Sequence, residues 1–117
     1  MENQNTNTEN QNNLENIVKE YQLIGEQIRA YSIQLQDFQL QKTEAEAARE
    51  EVSKANGKVY FTIGGVIVET DKEKAITNLK EKSESLGLKI QMLNKQLTTL
   101  KSKEKALNEK LSSFKKQ

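Results

Sequence analysis

The chain has 117 residues, 34% hydrophobic and 30% charged, with no Pro, Cys or His and a net charge of +1. That is too little apolar material for a large globular core and provides no disulfide framework or thiol chemistry. The usual zinc ligands and the common general base are also missing, so neither a metal, a cofactor nor an enzymatic activity is expected.

The first thirteen residues, MENQNTNTENQNN, hold six Asn, two Gln and two Thr. They carry no basic region and no apolar run of a signal peptide, and residues 1–13 are expected to be a disordered polar tail. No stretch further on approaches the roughly 20 apolar residues of a membrane span, so the expectation is a soluble, cytoplasmic protein with no membrane partner.

From Leu14 the pattern changes. Leu14, Ile17, Tyr21, Ile24, Ile28, Tyr31, Leu35 and Phe38 recur at alternating spacings of three and four, and the run continues through Lys42, Ala45 and Arg49 to Val52. This is the seam of a coiled-coil helix, expected over 14–55 and closed by Asn56-Gly57, where a glycine can take the left-handed conformation that ends helices. Carboxylates off the seam, Glu44, Glu46, Glu50 and Glu51, have the spacing of a solvated helix face.

Residues 58–70, KVYFTIGGVIVET, are β-rich, unlike the stretches on either side. A two-residue Gly64-Gly65 turn pairs Ile63 with Val66, Phe61 with Val68 and Val59 with Thr70. One face then carries Val59, Phe61, Ile63, Val66 and Val68, and the other Tyr60, Thr62, Ile67 and Glu69. An isolated hairpin is marginal in water, and two straight helices cannot both bury the apolar face and satisfy the strand edges. The hairpin is therefore expected to be an assembly module, part of a sheet or barrel shared between subunits. Gly64-Gly65 lacks the Lys and Ser or Thr of a phosphate loop. The basic excess is modest, and Tyr60-Phe61 has no flanking Arg run, so no nucleic-acid partner is expected.

A second helix is expected over 71–115, opened by a capping box in which Thr70 accepts from the backbone and Glu73 reaches back. Its seam runs Ile76, Leu79, Ser83, Leu86, Ile90, Leu93, Leu97 and Leu100, then Glu104, Leu107, Leu111 and Phe114. Gly87 is a possible bend or simply a tolerated glycine. The two seams match in reverse: Leu14 with Phe114, Ile28 with Leu100, Phe38 with Ile90 and Val52 with Ile76 all have numbers adding to 128, as one molecule folding back on itself requires. Charge agrees, because residues 1–57 carry net −5 and residues 58–117 net +6. The fold class is mainly α: a long antiparallel two-helix coiled coil, about 58 Å at 1.5 Å per residue, joined by the central hairpin into a single domain over 14–117.

The order long helix, VYFTIGGVIVET hairpin, long helix, followed by DKEKAITNLKEKSESLGLKI, resembles the beta-type subunit of archaeal-like prefoldin over roughly residues 14–114. The resemblance implies a hetero-hexamer in which alpha-type subunits and further beta-type copies join hairpins into a double β-barrel. It also implies coiled-coil tips that hold unfolded proteins without ATP and pass them to a group II chaperonin. Carried over to this chain, the implied oligomerisation residues are Val59, Phe61, Ile63, Gly64, Gly65, Val66 and Val68, and the implied client-binding residues are Leu14, Ile17, Leu107, Leu111 and Phe114. Helix ends fray and expose their apolar seam, which suits a client site; the same residues also serve to close the coil. Lys101, Lys103, Lys105, Lys110, Lys115 and Lys116 give the last seventeen residues net +4, suited to an acidic chaperonin rim or client, or to a solvated helix face. Off the seam, Val18, Leu23, Ile33, Leu40, Leu88 and Met92 are scattered apolar residues. A structural or tethering coiled coil, with the hairpin as an oligomerisation module, stays open as the alternative.

Overall fold

A computed structural model describes the backbone of residues 2–115 and the side chains of residues 9–115. The order of elements is α1 (Glu2–Lys54), β1 (Val59–Ile63), β2 (Val66–Thr70) and α2 (Lys72–Lys115). The chain divides into a terminal unit, Met1–Ile33 with Leu93–Gln117, and a hairpin unit, Gln34–Met92.

Both units are built on the seam. In the terminal unit Ile24, Leu93, Leu97 and Leu107 are buried, and Leu14, Ile17, Tyr21, Ile28, Tyr31, Leu100, Glu104, Leu111 and Phe114 are half-buried. In the hairpin unit Ala45, Ala75, Ser83 and Leu86 are buried. The helices run antiparallel in each: Leu14 and Phe114 line one groove and Tyr31 and Leu100 another in the terminal unit, and Lys89 lies over the Phe38 ring in the hairpin unit. The off-seam residues Leu23, Ile33, Leu40, Leu88 and Met92 are exposed. Arg49 departs from the expected seam. It is exposed, while Ala48 is half-buried and Ala75 buried, because small residues let the helices close here while the guanidinium stays in water.

At three points the described elements differ from the expected ones. Helix α1 is described from Glu2 rather than from Leu14, so it runs through residues 2–13, the stretch expected to be a polar tail. No Pro or Gly interrupts them, and once a helix is nucleated each added residue costs little. Residues 9–13 are all exposed, so the polar composition keeps them out of the core without stopping the helix. Second, α1 ends at Lys54: the Ala55 N–H donates to the Val52 carbonyl at 3.1 Å, and Gly57 follows with φ +109°. Third, Asp71 caps α2, its Oδ1 accepting from the Lys74 N–H at 2.7 Å. Thr70 is committed to the ladder opposite Val59, which leaves Asp71 as the first free residue and puts a carboxylate at the positive end of the helix.

The hairpin follows the expected register, Val59↔Thr70, Phe61↔Val68 and Ile63↔Val66. Gly64 and Gly65 have φ of +54° and +83°, the pair of positive angles of a type I′ turn whose twist matches that of the strands. Lys72 Nζ donates to the Ala55 carbonyl at 3.3 Å, tying the start of α2 to the end of α1.

Candidate interaction surfaces

The hairpin presents apolar side chains on both faces. Val59, Val68 and Thr70 are half-buried, whereas Phe61, Ile63 and Val66 are exposed. On the opposite face Tyr60 is exposed and Ile67 is the most open large apolar side chain of those described, at 72%. Lys58 Nζ pairs with Glu69 Oε1 across the strands at 3.4 Å. Beside β1 an apolar groove of about 300 Å³ is lined by Ala48, Val52, Val59, Tyr60, Phe61, Ala75 and Leu79 together with Asn78 and Lys82. All seven expected assembly residues thus lie on the hairpin, five of them apolar on one face and two forming its turn. Tyr60 and Ile67 add a second apolar face. Strand alternation assigned both residues to the less apolar side; their high exposure sets them apart.

In the terminal unit the last turns of α2 and residues 14–21 of α1 enclose an open groove of about 510 Å³. Its lining includes Leu14, Val18, Tyr21, Leu111 and Phe114, with Asn108, Ser112 and Lys115 at its polar margin. Three of the five candidate client residues, Leu14, Leu111 and Phe114, meet there. Ile17 is half-buried outside the lining, and Leu107 is 5% exposed, closed into the seam. Val18 and Tyr21 were missing from the candidate set. Val18 sits one position beyond the seam, where its burial depends on the crossing helix, and Tyr21 reads as an ordinary seam residue. Lys116 of the basic run lies outside the described residues.

A polar crossing interrupts the seam of the hairpin unit. Ser83, 7% exposed, donates its hydroxyl to Glu46 Oε1 at 3.1 Å, and the same carboxylate pairs with Lys42 Nζ. The Lys42 stem passes Gly87, where a Cβ would come within 3.4 Å of Lys42 Cε. The hydrogen bond from Lys42, then that from Ser83, holds the Glu46 carboxyl below its ordinary pKa. Sequence spacing had put Glu46 on a solvated face; that α2 offers it a buried hydroxyl depends on how the two helices meet.

Among the described residues no three or more His, Cys, Asp or Glu side chains converge as a metal site, and no described helix is long and apolar enough to cross a membrane. The family model described as Prefoldin subunit matches residues 3–117. The chain belongs to the prefoldin family. It is 38% identical over 110 residues to the prefoldin subunit beta of Thermococcus onnurineus, covering 86% of this chain and 89% of that one. To the prefoldin subunit beta of Thermococcus kodakarensis it is 36% identical over 113 residues, covering 89% and 91%. The crystal structure of the prefoldin beta subunit from Thermococcus strain KS-1 superposes with a TM-score of 0.77 at 32% identity, over 86% of this chain and 90% of that one. Prefoldin relatives of the beta type therefore share both the sequence and the helix–hairpin–helix architecture, and a prefoldin-type chaperone role comes with the family.

Proposed function

We propose that this prefoldin chain is an ATP-independent holdase subunit that binds unfolded proteins at the ends of its helices and delivers them to a group II chaperonin. The observation that carries this reading is the open groove of the terminal unit, where Leu14, Val18, Tyr21, Leu111 and Phe114 offer aliphatic and aromatic surface at an open site. A shallow apolar groove gains binding energy from buried area without demanding a particular sequence, which suits a protein that holds many clients and releases them. Leu107 closes the coil below the groove, and Leu14, Ile17, Leu111 and Phe114 carry the client contact together with Val18 and Tyr21.

The hairpin assembles the chain with an alpha-type subunit and further beta-type copies into a hetero-hexamer, through Val59, Phe61, Ile63, Val66 and Val68 around the Gly64-Gly65 turn. The work is done in the cytoplasm without cofactor, metal or catalytic residue, because the groove supplies contact area and no chemistry. The test is suppression of aggregation of a chemically unfolded protein by the complex with an alpha-type subunit, comparing the natural chain with Leu14→Ser/Leu111→Ser/Phe114→Ser. A variant that assembles normally and loses most of the suppression supports the reading. A variant that assembles and suppresses aggregation as well as the natural chain overturns the assignment of the groove and favours a tethering role.

A further inference from the structure

We propose that the outward faces of α1 and α2 in the hairpin unit are the two halves of a helix-to-helix interface: α1 of one copy of this chain lies antiparallel against α2 of a neighbouring copy, centred on Leu40 and Leu88. The inference rests on the assembly reading above, which sets copies side by side and pointing the same way. It adds a contact that uses neither the strands nor the client groove.

The first observation is position. At about 100° per residue, Leu40 stands roughly 200° round α1 from Phe38 and from Lys42, the seam residues on either side of it, and Leu88 stands likewise between Leu86 and Ile90 on α2. Both point away from the seam, on opposite sides of the helix pair. They are 57% and 64% exposed, and Met92, one turn beyond Leu88, is 62% exposed. Closing the coil does not need them. The numbers of Leu40 and Leu88 add to 128, the constant of the seams, so the two lie at one height. Copies pointing the same way bring α1 of one antiparallel to α2 of the next, and Leu40 then meets Leu88 with no shift along the axis.

The second observation is charge. Asp37 and Glu44 lie three residues before and four after Leu40, on one flank of it, and Lys82 and Lys89 lie on the corresponding flank of Leu88. Turning a helix end for end to face another keeps its flanks on the same side, so in the antiparallel pair these acids meet these lysines. Asp37 with Lys89 and Glu44 with Lys82 both have numbers adding to 126, which places each lysine within about 3 Å of its acid along the axis. All four side chains are exposed, and among the described residues none of them is in an ion pair. Asp37 accepts a hydrogen bond from Gln41 Nε2 at 2.7 Å and Lys89 leans over the Phe38 ring; neither contact neutralises the charge. The acids of α2 near the contact fall on neutral residues, Glu81 opposite Ala47 and Glu84, on the other flank, opposite Thr43. Pairing α1 with α1 brings acids to acids, and pairing α2 with α2 brings lysines to lysines, so charge selects the unlike faces of two copies.

The contact is small. Three apolar side chains and two exposed ion pairs, each pair worth about 1 kcal/mol or less, do not hold free chains together. Copies already joined are another matter, because linkage raises the local concentration to roughly the mM range. The contact therefore forms in the assembled complex, weakens with added salt, and holds neighbouring hairpin units side by side. Being head-to-tail, it leaves each copy a second face for a further neighbour.

The experiment uses the complex with an alpha-type subunit that lacks cysteine. Leu40→Cys and Leu88→Cys chains, each carrying one thiol, are mixed before assembly, oxidised, and followed for a disulfide-linked dimer of this chain. The mixture is expected to crosslink at least about tenfold faster than either variant alone, and faster than Leu40→Cys mixed with Glu81→Cys, whose thiols stand about 10 Å out of register, beyond disulfide reach. Adding Asp37→Lys and Glu44→Lys to both chains is expected to slow crosslinking severalfold, and adding Lys82→Glu and Lys89→Glu as well to restore it. Equal rates in all mixtures, no loss on the first reversal, or no recovery in the fully swapped chains overturns the inference. Sedimentation and aggregation suppression are measured on the same samples. A complex that suppresses aggregation without the Leu40-to-Leu88 crosslink refutes the helix contact and leaves the proposed function standing; a chain that does not assemble overturns both.

Discussion

Lys42, Glu46, Ser83 and Gly87 make one arrangement out of residues that look unrelated in the sequence. The Lys42 stem passes beside Gly87, at contact distance from where a Cβ would stand, and Glu46 gathers the ammonium of Lys42 and the hydroxyl of Ser83. Because the Glu46 carboxyl is held below its ordinary pKa by these two donors, the folded chain binds fewer protons there than the unfolded one. Its contribution is fully present above the unfolded pKa and lost as pH falls through the lower, folded value. Ser83→Ala is therefore expected to lower the thermal midpoint at neutral pH, and the gap from the natural chain is expected to close as the pH is lowered past the carboxylate range; melting curves across that range check it. Gly25 lies in a helix with nothing within 4 Å of an added Cβ, so Gly25→Ala is expected to stabilise by about 1 kcal/mol in thermal denaturation. The seam residues were legible because their period is fixed by the helix itself. Glu46 was not, since spacing on one helix carries no record of what the other helix brings to it.

The hairpin was the most legible element. Two adjacent glycines between β-branched and aromatic runs admit few turns, and both positive φ angles are met. Gly65→Ala is expected to cost about 1–2 kcal/mol through its left-handed backbone, while Gly64→Asn, a residue that tolerates the first position of this turn, is expected to keep assembly intact; denaturation and sedimentation of the two variants separate the effects. The start of α2 was harder. Thr70 and Asp71 are both good caps, and only the length of the ladder decides between them. Asp71→Ala is accordingly expected to cost about 1 kcal/mol, measured by chemical denaturation, with Thr70→Val closer to neutral because Thr70 acts as a strand residue.

For the whole molecule, the reversed seams were readable from numbering alone, because a chain that folds back must pair residues whose numbers add to a constant. Leu14 with Phe114 at one groove, and Phe38 near Lys89 in the hairpin unit, keep to that rule within a residue. The groove itself was only partly legible. Whether a seam residue is sealed, as Leu107 is, or open, as Leu14 and Phe114 are, depends on how near it lies to the last turn of the partner helix. The low apolar content of the N-terminal run argues against a core, and does not by itself argue against a helix continued from a stable one. Residues 9–13 are exposed, so removing residues 1–12 is expected to change stability by less than about 0.5 kcal/mol, as a melting comparison would show.

An uncharged strand edge beside apolar faces has a cost before any complex exists. A chain on its own carries that edge bare, and exposed strands of this kind tend to recruit one another. Phe61, Ile63, Val66 and Ile67, open in the single chain, thus make a lone copy the form of the protein most in need of a cover.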